Sequence, residues 1–260
     1  MIKKIVATHN KLFHADEVTA IALLEIFMDF EIIVKRINHD TQDFLEYDFV
    51  IDIGKKFDGI KYFDHHQFKG GKSSAGLIWD YIGQSKKYPK ISKLIELVDK
   101  NDVGIEKSKE FEYSSLIKCY NSKDLISQNQ DIQFMKAIDF AKTVLLSMKE
   151  MDEEIIKAKQ IIANSFNFYN NPEILELSEF TPYWTTYING TIMPHIKAVV
   201  WEDKLDNTWK VRIPPLKLGS FDLNGKKLKA DTTMDFIHNS GHFAIARNET
   251  IMKKYLDKSI

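Results

Sequence analysis

The stretch "YFDHHQ", residues 62–67, places an aspartate and two adjacent histidines directly behind two aromatic residues. Histidine and carboxylate side chains bind transition-metal ions, and histidine also exchanges protons near neutral pH. A single group of this kind is usually structural, because a lone aspartate often caps a helix and a lone buried histidine usually bonds to the backbone. The stretch therefore indicates a functional site only if other segments supply residues of the same types.

Three further segments supply them. The segment "THNKLFHADE" contains His9, His14 and Asp16, "VIDIG" contains Asp52, and "VDKNDVG" contains Asp99 and Asp102. Mixed imidazole and carboxylate ligands suit Mn²⁺, Fe²⁺ or Zn²⁺ better than Mg²⁺ or Ca²⁺. There are more candidates than one tetrahedral ion needs, so we expect two divalent ions sharing a carboxylate, for which Asp52 is the natural bridge. Two such ions neutralise charge on a phosphoryl group, so the pattern predicts hydrolysis of a phosphate ester.

Short apolar runs predict the elements that position these residues. Residues 5–8, 31–37, 48–54 and 60–64 read as strands, with a helix after the first strand and two helices after the fourth. The order β-α-β-β-β-α-α is typical of an α/β domain with a mostly parallel sheet. The candidate ligands follow the carboxyl ends of strands or of a helix, and open α/β sheets bind ligands outside the carboxyl ends of their strands.

The rest of the chain predicts two further parts. We assign residues 1–130 to the metal-binding catalytic domain, residues 131–171 to connecting helices that continue to about Tyr169, and residues 172–260 to a smaller α+β domain. The stretch "YNNPE" is the best candidate linker. In the last part, "IKAVVWED" and "TWKVRIP" flank the turn-prone "KLDN" and predict a hairpin.

Composition limits the cellular setting and the partners. The net charge of −1 argues against a protein that coats nucleic acid by bulk electrostatics. The single cysteine, Cys119, excludes an internal disulfide framework, and we expect a cytoplasmic protein. No stretch approaches the apolar length of a membrane span, so we expect no membrane partner. A homodimer is compatible with the sequence.

The motifs resemble a known family. "DHHQ" with the upstream "VIDIG" is similar to the DHH phosphoesterase superfamily, and six motifs occur in the order seen in its MYG-type family: "THNKLFHADE", "VKRINHD", "DFVIDIG", "YFDHHQ", "SSAGLIW" and "VDKNDVG". The resemblance covers the first 105 residues and continues more weakly into "FIHNSGHFAIARN". It implies a DHH-type domain, connecting helices and a smaller second domain that closes over the cleft. It also implies a metal-dependent phosphodiesterase, since some members act as 3′–5′ exoribonucleases.

The resemblance also implies roles for individual residues. The metal ligands would be His9, His14, Asp16, Asp52, His65 and Asp102, with Asp99 close enough to Asp102 to compete for the fourth motif. The superfamily usually has an aspartate at the position of His14, which is one reason to prefer Mn²⁺. His66 would face the substrate phosphate or protonate the leaving oxygen, and Asp64 would orient a histidine. Both are therefore candidate catalytic residues.

In the second domain the resemblance points to substrate-binding residues, namely His238, Ser240, Gly241 and Arg247. The chain departs from the family pattern at two positions. Family members usually have glycine where Lys11 stands, and phenylalanine where His242 follows Gly241. The first departure concerns the turn before His14, and the second concerns what the second domain contacts.

The leading hypothesis is a two-metal phosphodiesterase, an exonuclease whose partner is single-stranded RNA or a short oligonucleotide. A hydrolase of small phosphate substrates, such as a dinucleotide or pyrophosphate, would use the same metal chemistry. A catalytically silent binding module is the alternative from a different class, and it predicts loss of ligand positions. The motifs for peptide hydrolysis, an HExxH helix or a nucleophile elbow, do not occur in the sequence.

Overall fold

The computed structural model describes residues 2–123 and 128–260. The chain divides into two compact units, Met1–Asp152 and Glu153–Ile260. The three domains predicted from the sequence, with boundaries at residues 130 and 171, stay a prediction. Among the described residues no helix combines the length and the apolar character that crossing a membrane requires.

The first unit contains a four-stranded parallel sheet, as the apolar runs predict. Its strands are β1 (Ile2–His9), β2 (Phe30–Ile37), β3 (Phe49–Ile51) and β4 (Tyr62–Phe63), in the order β2-β1-β3-β4. The chain leaves β1 towards β2 on one side and returns to β3 on the other. The boundary between β1 and β3 is therefore the topological switch point, where open α/β sheets bind ligands.

Five helices accompany this sheet, and the order through the third is the predicted one. They are α1 (Ala15–Phe27), α2 (Ser74–Ile82), α3 (Pro89–Asp102), α4 (Tyr113–Lys118) and α5 (Gln128–Ala163), the last of which continues into the second unit. Helix α2 begins after Ser73 and ends at Gly83, whose φ of 70° is left-handed and therefore suits glycine. Pro89 occupies the first turn of α3, where its missing N–H costs nothing.

Helix α1 lies inside the first unit. Every residue from Ala15 to Leu24 is buried, because apolar side chains surround the helix and pack in one core with the sheet and with α2 and α3. An enclosed helix also buries the polar residues of its first turn. Asp16 and Glu17 are fully buried for this reason, at the end of the helix that follows the carboxyl end of β1.

The second unit is built on a six-stranded mixed sheet. Its strands are β5 (Phe166–Asn167), β6 (Ile174–Glu176), β7 (Ala198–Asp203), β8 (Thr208–Arg212), β9 (Phe236–Ile237) and β10 (Phe243–Ala246), in the order β5-β6-β7-β8-β10-β9. The pair β6–β7 is parallel, and the other neighbouring pairs are antiparallel. The predicted hairpin is confirmed as β7–β8, and α6 (Glu249–Ser259) packs on the sheet through Met252 and Leu256.

The long helix is shorter than the sequence predicts. Helix α5 ends at Ala163 instead of continuing to about Tyr169, and Phe166 and Asn167 already belong to β5. Ser165 bonds through its hydroxyl to the carbonyl of Ile161, which is the local competition by which serine and asparagine end helices. The absence of glycine and proline from this stretch concealed the end of the helix.

Candidate metal centre

The site begins where β1 and β3 end side by side. His9 is the last residue of β1, and Asp52 directly follows β3. Asp52 Oδ2 lies 3.2 Å from His9 Nε2, whereas Asp52 Oδ1 lies 3.2 Å from His65 Nε2 and accepts a hydrogen bond of 3.1 Å from the Ser74 hydroxyl. The two oxygens of one buried carboxylate thus face histidines from two different segments.

The first turn of α1 supplies two more carboxylates. Glu17 Oε1 lies 3.1 Å from His9 Nε2 and accepts a hydrogen bond of 2.9 Å from the backbone N–H of His14. Asp16 Oδ2 lies 3.8 Å from His65 Nε2. At the end of α3, Asp102 Oδ2 lies 3.0 Å from that same nitrogen.

All the predicted ligands come together in one cluster. Three overlapping groups offer ligand atoms within 4.8 Å of one another: His9, His14, Glu17 and Asp52; Asp52, His65 and His66; and His14, Asp16 and Asp102. Asp52 belongs to two of these groups, and so does His14. The cluster combines imidazole and carboxylate ligands, a set that suits a divalent transition metal.

The electrostatics of the cluster favour a bound cation. Burial, together with the charges of Asp52, Glu17 and Asp102, raises the pKa of Asp16 well above its ordinary value. Burial alone would also raise the pKa of Asp52, but the hydrogen bonds from His65 and His9 outweigh burial and hold that pKa below its usual range.

The two histidines that contact Asp52 respond in a matching way. Burial alone would lower the pKa of His9, but its hydrogen bonds to Asp52 and Glu17 raise that pKa to about 10. Burial alone would also lower the pKa of His65, but its hydrogen bonds to Asp102 and Asp52 raise that pKa to about 10. Four carboxylates thus surround two nitrogens, Nε2 of His9 and Nε2 of His65, so the region carries excess negative charge.

Unpartnered oxygens test whether these residues fit a metal ion. Both carboxylate oxygens of Asp16 and Oε2 of Glu17 are buried and have no hydrogen-bond partner among the described residues. Burying even a neutral polar group without a hydrogen bond costs on the order of 2–7 kcal/mol, and burying a charged carboxylate without a partner costs more. Binding of divalent metal would give these oxygens their missing partner, so the residues fit such an ion.

Beside the cluster, Asp64 holds His66. Asp64 Oδ1 accepts hydrogen bonds from the backbone N–H of His66 at 2.9 Å and from its Nδ1 at 2.8 Å, and Oδ2 accepts one of 2.7 Å from the N–H of Lys55. The hydrogen bond to Asp64 raises the pKa of His66 although burial opposes it. Because Nδ1 is engaged, Nε2 is the nitrogen of this half-exposed ring that remains for a substrate.

Asp99 and Asp102 occupy different environments. Asp99 Oδ1 accepts hydrogen bonds from the N–H of Ser73 at 2.9 Å and from its hydroxyl at 2.7 Å, so it secures the start of α2. A Cβ atom at Gly76 would lie 2.5 Å from this carboxylate, which is why glycine is needed there. Only Asp102 of the two contacts His65, which supports it as the fourth-motif ligand.

Sequence reasoning missed three residues around the site. Glu17 lies in the first turn of α1, where an acidic residue usually serves the helix dipole, although its spacing from His14 also fits a capping box. His39 stacks on His9 with ring centroids 4.6 Å apart. Arg36 donates a hydrogen bond of 2.6 Å to the carbonyl of Lys11 and lies over the ring of Phe13, so it supports the segment that carries His14.

In the second unit, the predicted substrate-binding residues do not form one group. His238 Nδ1 lies 2.8 Å from the hydroxyl of Ser240, which also bonds to His242, and Gly241 forms the left-handed turn between them at φ 69°. This group lies at the turn of the β9–β10 hairpin. Arg247 follows β10 at the hairpin's open end and pairs with Asp235 at 2.9 Å. All four assignments stay predictions.

A cavity of about 840 Å³ opens beside the cluster within the first unit. Asp52, His65, His66 and Asp102 line one part of it, and residues that follow α3 line another. Small-molecule sites in proteins occupy about 300–1,000 Å³, so the cavity has the size of a binding site.

Comparison with known proteins identifies the family. The chain matches the MYG1 exonuclease family, described as an uncharacterised protein family (UPF0160), over residues 5–88 and 88–253, and it belongs to that family. It is 36% identical over 162 residues to the MYG1 protein of Chlamydia muridarum, covering 57% of this chain and 55% of that protein.

Two eukaryotic relatives align over more of the chain. A MYG1 protein of Saccharomyces cerevisiae is 24% identical over 274 aligned residues, covering 85% of this chain and 80% of that protein. The MYG1 exonuclease of Homo sapiens is 25% identical over 274 residues, covering 83% and 71%. The chain thus spans little more than half the length of the chlamydial relatives it matches. No solved structure matches it.

Proposed function

We propose that this protein is a metal-dependent phosphodiesterase of the DHH superfamily, an exonuclease that hydrolyses RNA or short oligonucleotides. The observation that carries the proposal is Asp52, whose two oxygens face His9 and His65 amid unpartnered buried carboxylates. The names of the human and bovine relatives, both MYG1 exonucleases, support the nuclease activity.

Two divalent ions, with Mn²⁺ preferred, would be held by six residues: His9, His14, Asp16, Asp52, His65 and Asp102. Glu17 is a seventh candidate, since it belongs to one of the groups of converging ligand atoms. Bound there, the ions supply charge neutralisation at a phosphoryl group and activation of water at neutral pH. The imidazoles in the set are the reason to prefer Mn²⁺ over Mg²⁺.

The protein's own groups account for the remaining steps. Asp64 fixes the ring of His66 through Nδ1, which leaves Nε2 to give a proton to the leaving oxygen of the ester. Glu17 holds His9 and the N–H of His14 in one geometry, so the ligands are oriented before substrate binds. Burial of Asp52 and Asp16 keeps bulk water away from the inner part of the cluster.

The test is product analysis with 5′-labelled single-stranded RNA in the presence of Mn²⁺ and of EDTA. We expect a Mn²⁺-dependent ladder that shortens from the 3′ end and disappears with EDTA. Endonucleolytic products would contradict the exonuclease assignment. No metal-dependent hydrolysis would contradict the enzyme assignment and favour a binding module.

A second candidate function is hydrolysis of small phosphate substrates. The cavity of about 840 Å³ favours it, because this volume suits a ligand of nucleotide or dinucleotide size. A dinucleotide and pyrophosphate therefore belong in the same assay. Hydrolysis of these compounds without shortening of the RNA would establish this candidate over the exonuclease.

A further inference from the structure

One wall of the cavity is formed by residues that follow α3, and it differs chemically from the metal cluster. We call it the lysine wall. Beyond Asn101 it is lined by two lysines, three serines and the cysteine: Lys107, Ser108, Ser114, Ser115, Lys118 and Cys119. The cluster offers carboxylates and imidazoles, whereas this wall offers ammonium groups and hydroxyls.

Helix α4 presents part of this wall in a fixed orientation. Tyr113 and Ile117 are buried in the core, and the Tyr113 hydroxyl lies 2.9 Å from Oγ1 of Thr19 in α1. Residues four apart share one face of a helix. With Tyr113 and Ile117 turned inward, Ser114 and Lys118 form the neighbouring pair that borders the cavity.

The end of this wall is tied to the segment that carries the first ligands. The side chain of Asn121 accepts a hydrogen bond of 3.0 Å from the N–H of Phe13 and donates one of 2.9 Å to its carbonyl. Gln130 adds a bond of 2.7 Å to the carbonyl of Lys11. Since His14 directly follows Phe13, these hydrogen bonds fix the position of the wall relative to the cluster.

The two lysines of the wall have no acidic partner among the residues that the structure describes. Neither Lys107 nor Lys118 forms an ion pair with a carboxylate in ranges 2–123 and 128–260, whereas their neighbour Lys109 pairs with Glu112 at 3.8 Å. The serine hydroxyls are within reach of one another, with Ser108 Oγ 2.7 Å from Ser115 Oγ. Ammonium groups and hydroxyls around a cavity are typical of phosphate binding.

We propose that Lys107 and Lys118 bind the phosphate next to the scissile one, so that the site selects nucleotide chains that carry at least one further phosphate. The inference rests on the proposed function. The cluster would contact the ester that is cleaved, and the lysine wall of the same cavity would bind its neighbour along the chain. An isolated phosphodiester, which lacks a second phosphate, uses only the first of these contacts.

The test compares the dinucleotide UpU with its phosphorylated forms pUpU and UpUp, each with Mn²⁺. For the wild type we expect a higher kcat/KM for one of the phosphorylated forms, and which form it is shows on which side of the scissile bond the lysines lie. In the double variant Lys107→Gln/Lys118→Gln this preference should fall about tenfold, as expected for loss of two charged contacts to phosphate. The preference should also weaken at high salt.

Lys109→Gln is the matched control, because Lys109 is close in sequence but does not line the cavity, and it should keep the wild-type preference. An unchanged preference in the double variant would overturn the inference and leave the proposed function intact. If the wild type hydrolyses neither 5′-labelled RNA nor any of the three compounds, the proposed function fails. Equilibrium binding of pUpU and UpUp to the wild type and the double variant then decides the role of the lysines separately.

Discussion

His9 Nε2 lies 3.2 Å from Asp52 Oδ2 across the boundary between strands β1 and β3. The two residues are far apart in the sequence and meet because their strands are parallel neighbours that end at the same edge of the sheet. This boundary is also the switch point of the sheet, where the connections diverge and leave a crevice. The contact therefore links the topology of the fold directly to the chemistry of the site.

Asp52→Asn tests the bridging carboxylate. One oxygen faces His9 and the other faces His65, so loss of the charge should weaken metal binding on both sides of Asp52. We expect Mn²⁺-dependent hydrolysis of RNA to fall by about a thousandfold or more, with an unchanged circular dichroism spectrum. Asp80→Asn, at an exposed residue paired with Lys72, is the control and should keep full activity. Substantial activity in Asp52→Asn would contradict the bridging role.

Asp16→Asn tests the unpartnered carboxylate of α1. In metal-free protein near neutral pH this substitution should raise the free energy of unfolding by about 1 kcal/mol, because wild-type Asp16 must either keep its charge among other carboxylates or take up a proton on folding, whereas asparagine stays neutral. Addition of Mn²⁺ should raise the melting temperature of the wild type and leave that of the variant nearly unchanged. Thermal unfolding with and without Mn²⁺ measures both effects. A variant that Mn²⁺ stabilises as strongly as the wild type would show that Asp16 is not a ligand.

Asp99→Ala and Asp102→Ala form a matched pair that distinguishes a residue that stabilises helix α2 from a residue that binds metal. Asp99 accepts two hydrogen bonds from Ser73, so its loss should cost about 1–3 kcal/mol of stability at the start of α2. Asp102 contacts His65, so its loss should reduce Mn²⁺-dependent activity with little effect on stability. Urea unfolding and initial rates distinguish the two. Full activity in Asp102→Ala would shift the fourth-motif assignment to another residue.

Lys11→Gly should stabilise the protein. Lys11 has a φ of 66°, which strains any residue with a Cβ atom but not glycine, and its carbonyl keeps its bonds to Arg36 and Gln130. We expect a gain of about 0.5–1 kcal/mol, the relief of strain less the larger backbone entropy of glycine in the unfolded chain. Lys35→Gly, within strand β2, is the control and should be destabilising. A loss of stability in Lys11→Gly would show that the backbone there is not strained.

Glu176→Gln should change the pH dependence of stability. Burial first, and then the charges of Glu249 and Glu202, raise the pKa of Glu176 to about 7 from its ordinary 4.5. Below pH 4.5 the wild-type side chain is protonated in both the folded and the unfolded state, and the folded state is fully stable. As the pH rises from 4.5 through 7, the unfolded state loses this proton more readily than the folded state, so stability is lost. Glutamine never ionises, so the variant should gain about 1 kcal/mol relative to the wild type across this range, after allowance for solvent screening.

Urea midpoints measured from pH 4 to pH 9 check this prediction. Glu249 also raises the pKa of the Tyr169 hydroxyl, so Tyr169→Phe is a suitable comparison. A difference between Glu176→Gln and the wild type that stays constant with pH would contradict the raised pKa.

The strands, the first helices and the convergence of the ligands could be predicted because they depend on local apolar runs, on caps and on a general property of parallel sheets. The role of Glu17 could not, since acidic residues in a first turn usually serve the helix dipole. Its burial depends on the enclosure of α1, which is a tertiary property. Likewise nothing local distinguishes Lys107 or Lys118 from solvated lysines, because their position depends on the contact between Tyr113 and Thr19.

Every side chain of the metal cluster belongs to the unit Met1–Asp152, and so does every residue of the lysine wall. Mutational drift in Glu153–Ile260 thus leaves the reactive groups themselves untouched. Comparisons among relatives that ask whether these groups persist therefore need the first unit alone.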